Sequence, residues 1–288
     1  MSLPIKTVAA TGTSSGVGFE AIKQLLSQTA QPYKVVIGVR NAVKTQEAYN
    51  ALDYDSSVHS LVILPLDLSD LETVRLFGQR TLQHLGSCKI DFLFLNAAAN
   101  QGVEERPSNG QSKWTESYIV NHLAHHYLLH LLRDKLVESQ SRIIFTSSGA
   151  VAYGDPATLD KDLLAGSGAS AIPTLYIQTK FVQLLGVHWW RRQLDGSCKV
   201  LAVSPGLVPD TALGRLGGLR SADEKTVAEG GASLLRAFTV DDFGDDPEAV
   251  FFTSWGEWWS KEVYRKTLDR ELQDKWCPSR EEIENGTC

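Results

Sequence analysis

A tyrosine and a lysine four residues apart form the most reactive pair in this sequence. Tyr176 and Lys180 would share one face of a helix, which brings an ammonium next to a phenol. A phenol has a pKa of about 10, so it exchanges protons poorly at neutral pH unless a nearby positive charge favours its phenolate form. The pair therefore predicts a proton-transfer site in which Lys180 tunes Tyr176.

Two polar segments precede this pair and could complete a site. Ser147-Ser148 ends an apolar run that predicts a strand, and Asn121 falls within a predicted helix. Side chains alternate between the faces of a strand, so only one of these serines can face the pair. Asn121 could instead be an amide that packs between helices. Tyr153 is either a phenol that faces a substrate or a residue that packs its own loop.

A glycine-rich turn lies between the first predicted strand and the first predicted helix. Backbone amides at a helix N-terminus can bind a pyrophosphate, and glycines let it approach closely. The spacing is G-x-x-x-G-x-G, which differs from the common G-x-G-x-x-G fingerprint. The turn predicts a dinucleotide site or, with no ligand, a structural turn. Its residues are Gly12, Thr13, Ser14, Ser15, Gly16, Val17 and Gly18.

The end of the second predicted strand carries a positive charge. A site for NAD usually places an acidic residue there, to bind the ribose 2′-hydroxyl. Here the position holds Arg40, 22 residues after Gly18, and Lys44 follows one helical turn later. Arg40 could donate a bidentate pair to a 2′-phosphate. We therefore expect NADP(H) rather than NAD(H), the alternative being a surface arginine that caps the strand.

The ends of three further strands supply the remaining cofactor candidates. Asp67 and Leu68 could hold an adenine, and Asp67 could also cap a helix starting near Ser69. Small side chains after Asn96 leave room for a cofactor. The other candidates at these strand ends are Ala97, Ala98, Pro205, Gly206, Val208 and Thr211.

Short apolar runs alternate with amphipathic stretches along the chain, which predicts an α/β fold with a doubly wound parallel sheet and helices on both faces. We expect one domain over residues 1–288, with a Trp-rich extension from about residue 250. The predicted strands are Thr7–Ala10, Lys34–Val39, Ser60–Leu66, Ile90–Leu95, Arg142–Thr146, Val200–Ser204 and Val250–Thr253.

Helices are predicted between these strands, and three irregular stretches follow strand ends. The irregular stretches cover residues 100–112, 149–172 and 207–223, and we expect them to form the walls of a substrate site. The predicted helices are Val17–Ser27, Val43–Ala51, Leu71–Leu85, Trp114–Glu138, Pro173–Leu194 and Glu224–Phe238, with a further one near Leu272–Trp276.

Composition limits the possible partners. The chain has 28 Lys and Arg against 34 Asp and Glu, and this net charge of −6 argues against nucleic-acid binding. No apolar run is long enough to span a membrane, and the N-terminus does not resemble a signal peptide. Four cysteines without metal-ligand spacing predict reduced thiols in the cytoplasm. A homo-oligomer is possible, because Trp189 and Trp190 could pack in the core or at a subunit interface.

We expect no metal site. Four histidines fall on one predicted helix, and histidines four residues apart can chelate a metal. No carboxylate accompanies them, however. These histidines are His122, His125, His126 and His130.

Taken together and in order, these motifs resemble the classical short-chain dehydrogenase/reductase family over nearly the whole chain. Two features depart from the family pattern: Asn96 is followed by three alanines, and Ser148 precedes Tyr176 by 28 residues, which resembles an insertion. The chain is most similar to the retinol-dehydrogenase and light-dependent protochlorophyllide-reductase branch, and to reductases of fungal secondary metabolism.

This resemblance implies roles for four residues. Ser148, preferred to Ser147 by the family alignment, would polarise a substrate carbonyl, and Tyr176 would protonate its oxygen. Lys180 would also hold the nicotinamide ribose, and Asn121 would position a water. The expected function is NADPH-dependent hydride transfer to a carbonyl, or from the alcohol, of a small or medium-sized apolar molecule.

Two alternatives stay open at this level. One is reduction of a C=C or C=N bond, or a non-redox cyclisation or isomerisation, on the same NADPH-binding scaffold. The other is a regulatory protein that binds the cofactor without turnover. The complete set of Ser148, Tyr176 and Lys180 disfavours the regulatory alternative.

Overall fold

Parallel strands form one sheet at the centre of the computed structural model, which describes residues 3–100, 112–166, 172–194, 196–217, 222–243 and 246–287. The sheet order is β3-β2-β1-β4-β5-β6-β7, and every neighbouring pair is parallel. The doubly wound parallel fold predicted from the sequence is confirmed. The strands are β1 Lys6–Thr11, β2 Tyr33–Val39, β3 Ser60–Pro65, β4 Phe92–Leu95, β5 Arg142–Thr146, β6 Lys199–Val203 and β7 Phe251–Phe252.

Helices cover both faces of this sheet. They are α1 Gly16–Leu26, α2 Ala42–Asn50, α3 Leu71–Leu85, α4 Glu116–Tyr118, α5 Ala124–Ser139, α6 Leu159–Asp162, α7 Ile172–Gln193, α8 Ala212–Gly217, α9 Val227–Thr239, α10 Lys261–Tyr264, α11 Arg270–Trp276 and α12 Arg280–Glu284. No helix in the ranges described is both long and apolar enough to cross a membrane.

Alternation along β1 divides the core into two layers. Val8 and Ala10 face a cluster that includes buried residues of α1 and α9, whereas Ala9 faces a cluster built on α3, α5 and α7. Both faces of the central strands are therefore apolar, as a parallel sheet covered on both sides requires.

The helix predicted over residues 114–138 is divided in the structure. Thr115 is the N-cap and its side chain accepts a hydrogen bond from the Tyr118 amide, so the helix begins at Glu116. A π-helical turn spans Ile119–Leu123 before α5 continues. Such turns insert a residue into a helix and are frequent at functional sites. The predicted helix is therefore present, and the π-helical turn within it was not foreseen, because apolar periodicity does not register an inserted residue.

Two stretches predicted as irregular contain short helices. The stretch after β5 forms a 3-10 helix at Gly149–Tyr153 and then α6, and the stretch after β6 contains α8. Most of the first predicted wall, residues 101–111, lies outside the described residues, as do 167–171 and 218–221. The helix predicted from Glu224 begins at Val227, because Thr226 and Glu229 form a capping box.

Candidate functional site

The end of β5 brings a serine hydroxyl to the phenol of α7. Ser148 caps the following 3-10 helix through Ala150 N, at 3.2 Å. Burial raises the pKa of Tyr176 to about 12, and the Ser148 side chain lies close enough to oppose that rise. The phenol is therefore protonated at neutral pH and can donate a proton.

Lys180 lies beneath this pair and is 1% exposed. Its ammonium donates to the Thr146 carbonyl at 2.8 Å and to Gln183 Oε1 at 3.3 Å. An ammonium has three donors, so one is left for a further acceptor. Burial lowers the pKa of Lys180 to about 7. The expected lowering of the Tyr176 pKa by this charge is not seen, because burial raises that pKa and Ser148 is the group that opposes the rise.

Asn121 sits in the π-helical turn and is fully buried. Its side chain accepts from the Ala99 amide at 2.7 Å and donates to the Ala99 carbonyl at 2.8 Å and to Thr179 Oγ1 at 2.9 Å. The amide thus packs between segments, as the structural alternative predicted. Its backbone carbonyl accepts from Gln183 Nε2 at 3.1 Å, which connects Asn121 to Lys180.

The two adjacent serines at the end of β5 differ in their surroundings. Ser147 is buried, its amide donates to the Val203 carbonyl, and its hydroxyl has no hydrogen-bond partner within the described residues. Of the two, only Ser148 lies close enough to Tyr176 to lower its pKa, in agreement with the alternation argument. Tyr153 is 78% exposed, so its side chain does not pack within its loop and that prediction was wrong.

The turn after β1 has a shape that only glycine permits at two positions. Gly12 has φ of +67°, and a Cβ there would lie 2.3 Å from the Ala97 Cα. A Cβ on Gly18 would lie 2.1 Å from Asn96 Nδ2. Both glycines therefore let the turn pack directly against the end of β4.

Asn96 fixes this turn to the catalytic side of the sheet. Its Nδ2 donates to the Gly12 carbonyl at 2.7 Å, and its Oδ1 accepts from Thr146 Oγ1 at 2.9 Å. Since the Thr146 carbonyl also accepts from Lys180, hydrogen bonds run without a break from the glycine-rich turn to the lysine. After Asn96, the half-buried Ala97 donates its amide to Thr11 Oγ1 at 3.3 Å.

The N-terminus of α1 is open to an anion. Ser15 is the N-cap residue, yet its side chain makes no capping hydrogen bond, and both Ser14 and Ser15 are exposed. The buried Thr13 hydroxyl has no hydrogen-bond partner within the described part of the chain. Val17 packs against α9, with its Cγ1 2.8 Å from the position that a Cβ on Gly230 would take. Uncapped amides and a spare hydroxyl fit a bound phosphate.

Two exposed cations stand beside this opening. Arg40 follows β2 directly, and the β1 and β2 register pairs Thr11 with Gly38, so Arg40 lies at the same edge as the glycine-rich turn. Asn41, not Arg40, caps α2, through the Lys44 amide at 2.9 Å. No hydrogen bond or ion pair within the described ranges holds the Arg40 or Lys44 side chain, which leaves both available to a phosphate.

Asp67 does not cap the next helix, contrary to one of its predicted roles. Its Oδ1 accepts from the Ser69 amide and hydroxyl at 3.0 and 2.7 Å, forming a local turn. Asp70 is the N-cap of α3, which begins at Leu71 rather than near Ser69. Leu68 is 6% exposed and belongs to the core, although its backbone stays at the carboxyl edge of the sheet.

The segment after β6 returns to the glycine-rich turn. Thr211 Cγ2 lies 3.5 Å from the position that a Cβ on Gly16 would take, while its hydroxyl donates to the Val208 carbonyl at 3.1 Å and accepts from the Gly214 amide at 2.9 Å. Thr211 is thus next to the predicted cofactor site, with its hydroxyl engaged within its own loop. The same segment also contains Pro205, Gly206 and the buried Val208.

The geometry agrees with comparisons to known proteins. The family model for short chain dehydrogenases matches residues 6–158, more than half of the chain. The chain belongs to the short-chain dehydrogenase/reductase family. A short-chain dehydrogenase/reductase from Pestalotiopsis microspora is 52% identical over 287 residues, covering 97% of this chain and 98% of that protein.

More distant relatives confirm the resemblance to the retinol-dehydrogenase branch. Retinol dehydrogenase 12 of Mus musculus is 30% identical over 72% of this chain, and the match spans 63% of that enzyme's length. The solved structure of an NADPH-bound carbonyl reductase from chicken fatty liver has the same fold, with a TM-score of 0.66 and 22% identity, and it covers 90% of this chain and 95% of that chain.

The histidines of the π-helical turn and α5 in this short-chain dehydrogenase/reductase make structural contacts. His122 Nε2 bonds the Trp276 carbonyl and His126 Nε2 bonds the Pro278 carbonyl, both at 2.7 Å. Burial lowers the pKa of His122 to about 4. Among the residues described there is no group of three side chains that could hold a metal ion. These histidines attach the C-terminal segment to α5.

Two polar residues that the sequence reasoning missed hold the site together. Gln178, between Tyr176 and Lys180, bonds the Asp155 carbonyl at 3.0 Å and Asp162 Oδ2 at 2.8 Å, and so fixes the segment after Ser148 to α7. Gln183 contacts both Lys180 and Asn121. Its position three residues after Lys180, on the same helical face, was the available signal.

Proposed function

We propose that the protein is an NADPH-dependent oxidoreductase that transfers hydride between a nicotinamide and the carbonyl or alcohol carbon of a small or medium-sized apolar organic molecule. The observation that carries this proposal is the proximity of the Ser148 and Tyr176 hydroxyls, with the buried ammonium of Lys180 5.9 Å from the centre of the Tyr176 ring. Two adjacent donors of this kind suit one substrate oxygen on which negative charge develops.

Each catalytic group has a defined part in carbonyl reduction. The bound reduced nicotinamide would supply the hydride. Ser148 donates a hydrogen bond to the carbonyl oxygen, and Tyr176 transfers its proton to the same oxygen. A phenol whose pKa is about 12 is fully protonated at neutral pH, so it starts the reduction as an acid. Lys180 then stabilises the phenolate, and its third donor is free for a ribose hydroxyl.

The preference for NADPH rests on charge at the edge of the site. The N-terminus of α1 offers uncapped amides for the pyrophosphate, and Arg40 and Lys44 offer two exposed cations for a 2′-phosphate. The carbonyl reductase of the same fold from chicken fatty liver is described as NADPH-bound, which supports this choice by analogy.

An apolar substrate is supported by an aromatic side chain next to Ser148. A Cβ on Gly149 would lie 2.7 Å from Cη2 of Trp259, so this indole packs against the residue that follows the catalytic serine. Trp259 is stacked on Phe251 at 5.1 Å, which holds it in place. A role in secondary metabolism remains a prediction from the sequence resemblance.

The test is NADPH oxidation with a panel of apolar aldehydes and ketones, comparing wild type with Tyr176→Phe. Removing only the proton should reduce kcat by about 10²- to 10⁴-fold, while NADPH affinity, measured by fluorescence titration, stays within a few-fold. Tyr33→Phe, at the opposite edge of the sheet, is the control and should retain activity. A wild type that forms product without consuming NADPH would overturn the proposal.

A further inference from the structure

A buried glutamine joins the two ends of the catalytic polar network. Gln183 is 1% exposed; its Oε1 accepts from the Lys180 ammonium at 3.3 Å, and its Nε2 donates to the Asn121 carbonyl at 3.1 Å. An ammonium can only donate and a carbonyl can only accept, so both contacts are satisfied in one amide orientation alone. The π-helical turn at Ile119–Leu123 holds the carbonyl of Asn121.

Charge at Lys180 depends on neutral acceptors. Burial lowers the pKa of Lys180 to about 7, so the ammonium form needs oxygen atoms to offset its lost hydration. Those provided are the Thr146 carbonyl and Gln183 Oε1. Within the described part of the chain, the titratable groups that face Lys180 are Tyr176 on its own helix and His125 on α5, and neither bears a negative charge at neutral pH.

We propose that Gln183 is a positioning residue of the active site, which anchors on the Asn121 carbonyl and thereby orients the Lys180 ammonium and keeps it charged. The inference rests on the proposed function for its effect on turnover. Thr146 and Gln183 together fix two of the three ammonium donors, so the remaining donor has one direction. An apolar side chain of similar size would fill the same volume but would remove the contact with the Asn121 carbonyl and leave one ammonium donor unpaired.

Two variants, Gln183→Met and Gln183→Glu, separate the hydrogen bonding of Gln183 from its packing. Methionine keeps the length and apolar volume without an oxygen for Lys180, whereas glutamate keeps an oxygen there. Gln193→Met, at the exposed end of α7, is the matched control. Circular dichroism and thermal unfolding identify any variant that fails to fold.

The first readout needs neither cofactor nor substrate. The pKa of Lys180 is measured by NMR in protein with ¹³Cε-labelled lysine, the signal being assigned by its loss in Lys180→Met. We expect Gln183→Met to lower this pKa by about one unit, which reduces the charged fraction at pH 7 about fivefold. Gln183→Glu should keep the pKa at or above that of wild type, and Gln193→Met should leave it unchanged.

The second readout is the pH profile of kcat with NADPH and a carbonyl substrate. In Gln183→Met the fall in kcat at high pH should begin about one pH unit lower than in wild type. Gln183→Glu should restore the wild-type position. A wild type inactive on every carbonyl compound would count against the proposed function and leave the NMR test intact. An unchanged Lys180 pKa in Gln183→Met, or in Gln183→Glu a pKa below that of wild type, would overturn the role of Gln183.

Discussion

The glycine-rich turn and the end of β5 both lie at the carboxyl edge of the sheet, yet they satisfy their polar groups in opposite ways. At the turn, Ser15 caps nothing and Arg40 projects from the surface without a partner in the described residues. Around the end of β5, the side chains of Lys180 and Gln183 on α7 and of Asn121 in the π-helical turn are buried and hydrogen-bonded to one another or to the backbone.

The difference indicates what each region is built to meet. Unpaired donors at a helix N-terminus are complementary to an external anion, which would replace the water that now hydrates them. A buried network with internal partners cannot reorganise cheaply, so it holds reactive groups in one geometry before a substrate arrives. Asn96 and Thr146 connect the two regions through hydrogen bonds of 2.7 to 2.9 Å.

The largest effect should come from Gly12→Ala, which adds a methyl group where the glycine-rich turn packs against the end of β4. The added Cβ would stand 2.3 Å from the Ala97 Cα, and the residue would keep a φ of +67°. Gly196, with φ of +71° and nothing within 4 Å in the described residues, is the control, because Gly196→Ala adds the backbone strain without the overlap. We expect about 1–2 kcal/mol of destabilisation for Gly196→Ala and at least about 4 kcal/mol for Gly12→Ala, measured by urea unfolding.

This prediction also concerns binding. Gly12→Ala should lose NADPH binding under conditions where it is still folded, because the turn must move away from Ala97 and with it the amides of α1. Equal stability losses in Gly12→Ala and Gly196→Ala would show that the close packing of turn and β4 is not required.

A smaller effect should follow from reversing the charge at the open region, in Arg40→Asp. Loss of a charge-assisted pair to a 2′-phosphate is worth about 1.5–3 kcal/mol, so KM for NADPH should rise about 10- to 150-fold. KM for NADH should change little, since NADH has no 2′-phosphate. Arg80→Asp, an equal charge change on the exposed face of α3, is the control. If both cofactors responded equally to Arg40→Asp, a role for Arg40 in recognising the phosphate would be refuted.

The strands and the glycine-rich turn could be predicted because each depends on local pattern, whereas the meeting of Ser148 with Tyr176 was implied by the family resemblance. Period-two and period-3.6 alternation locate the elements, and the carboxyl ends of parallel strands necessarily share an edge. Strand alternation allowed only one of Ser147 and Ser148 to face the site, and the family alignment selected Ser148. The effect of Ser148 on the pKa of Tyr176 agrees with that choice.

What the sequence could not predict depends on contacts between distant segments. Asn96 was expected beside a cofactor, but its amide joins the Gly12 carbonyl to Thr146. The π-helical turn at Ile119–Leu123 does not alter the apolar pattern. Asp67 and Asp70 are both candidates for the N-cap of α3, and only the structure shows that Asp70 takes this position. The direction of the Tyr176 pKa shift was also missed, because it is set by burial rather than by the neighbouring charge.

The most gradual effect, spread over several pH units, tests whether the buried region keeps its lysine at a cost. Burial lowers the pKa of Lys180 from 10.5 to about 7, so between these values the unfolded chain binds a proton that the folded protein does not. Through this group the free energy of unfolding should rise with pH across that window, by at most about 1.4 kcal/mol per pH unit. Below pH 7 the full cost of burying the ammonium is present. Lys180→Met removes that cost, so its stability relative to wild type should be greatest at pH 6 and should decline steadily to pH 9.5.

Lys89→Met, at an exposed position, is the control, and its stability relative to wild type should be the same at pH 6 and pH 9.5. The measurement is urea unfolding of the three proteins at several pH values in one salt concentration. A constant difference between Lys180→Met and wild type would mean that the Thr146 carbonyl and Gln183 compensate fully for lost hydration. In that case burying the Lys180 ammonium would cost no more free energy than exposing the Arg40 guanidinium. The two regions would then differ only in geometry.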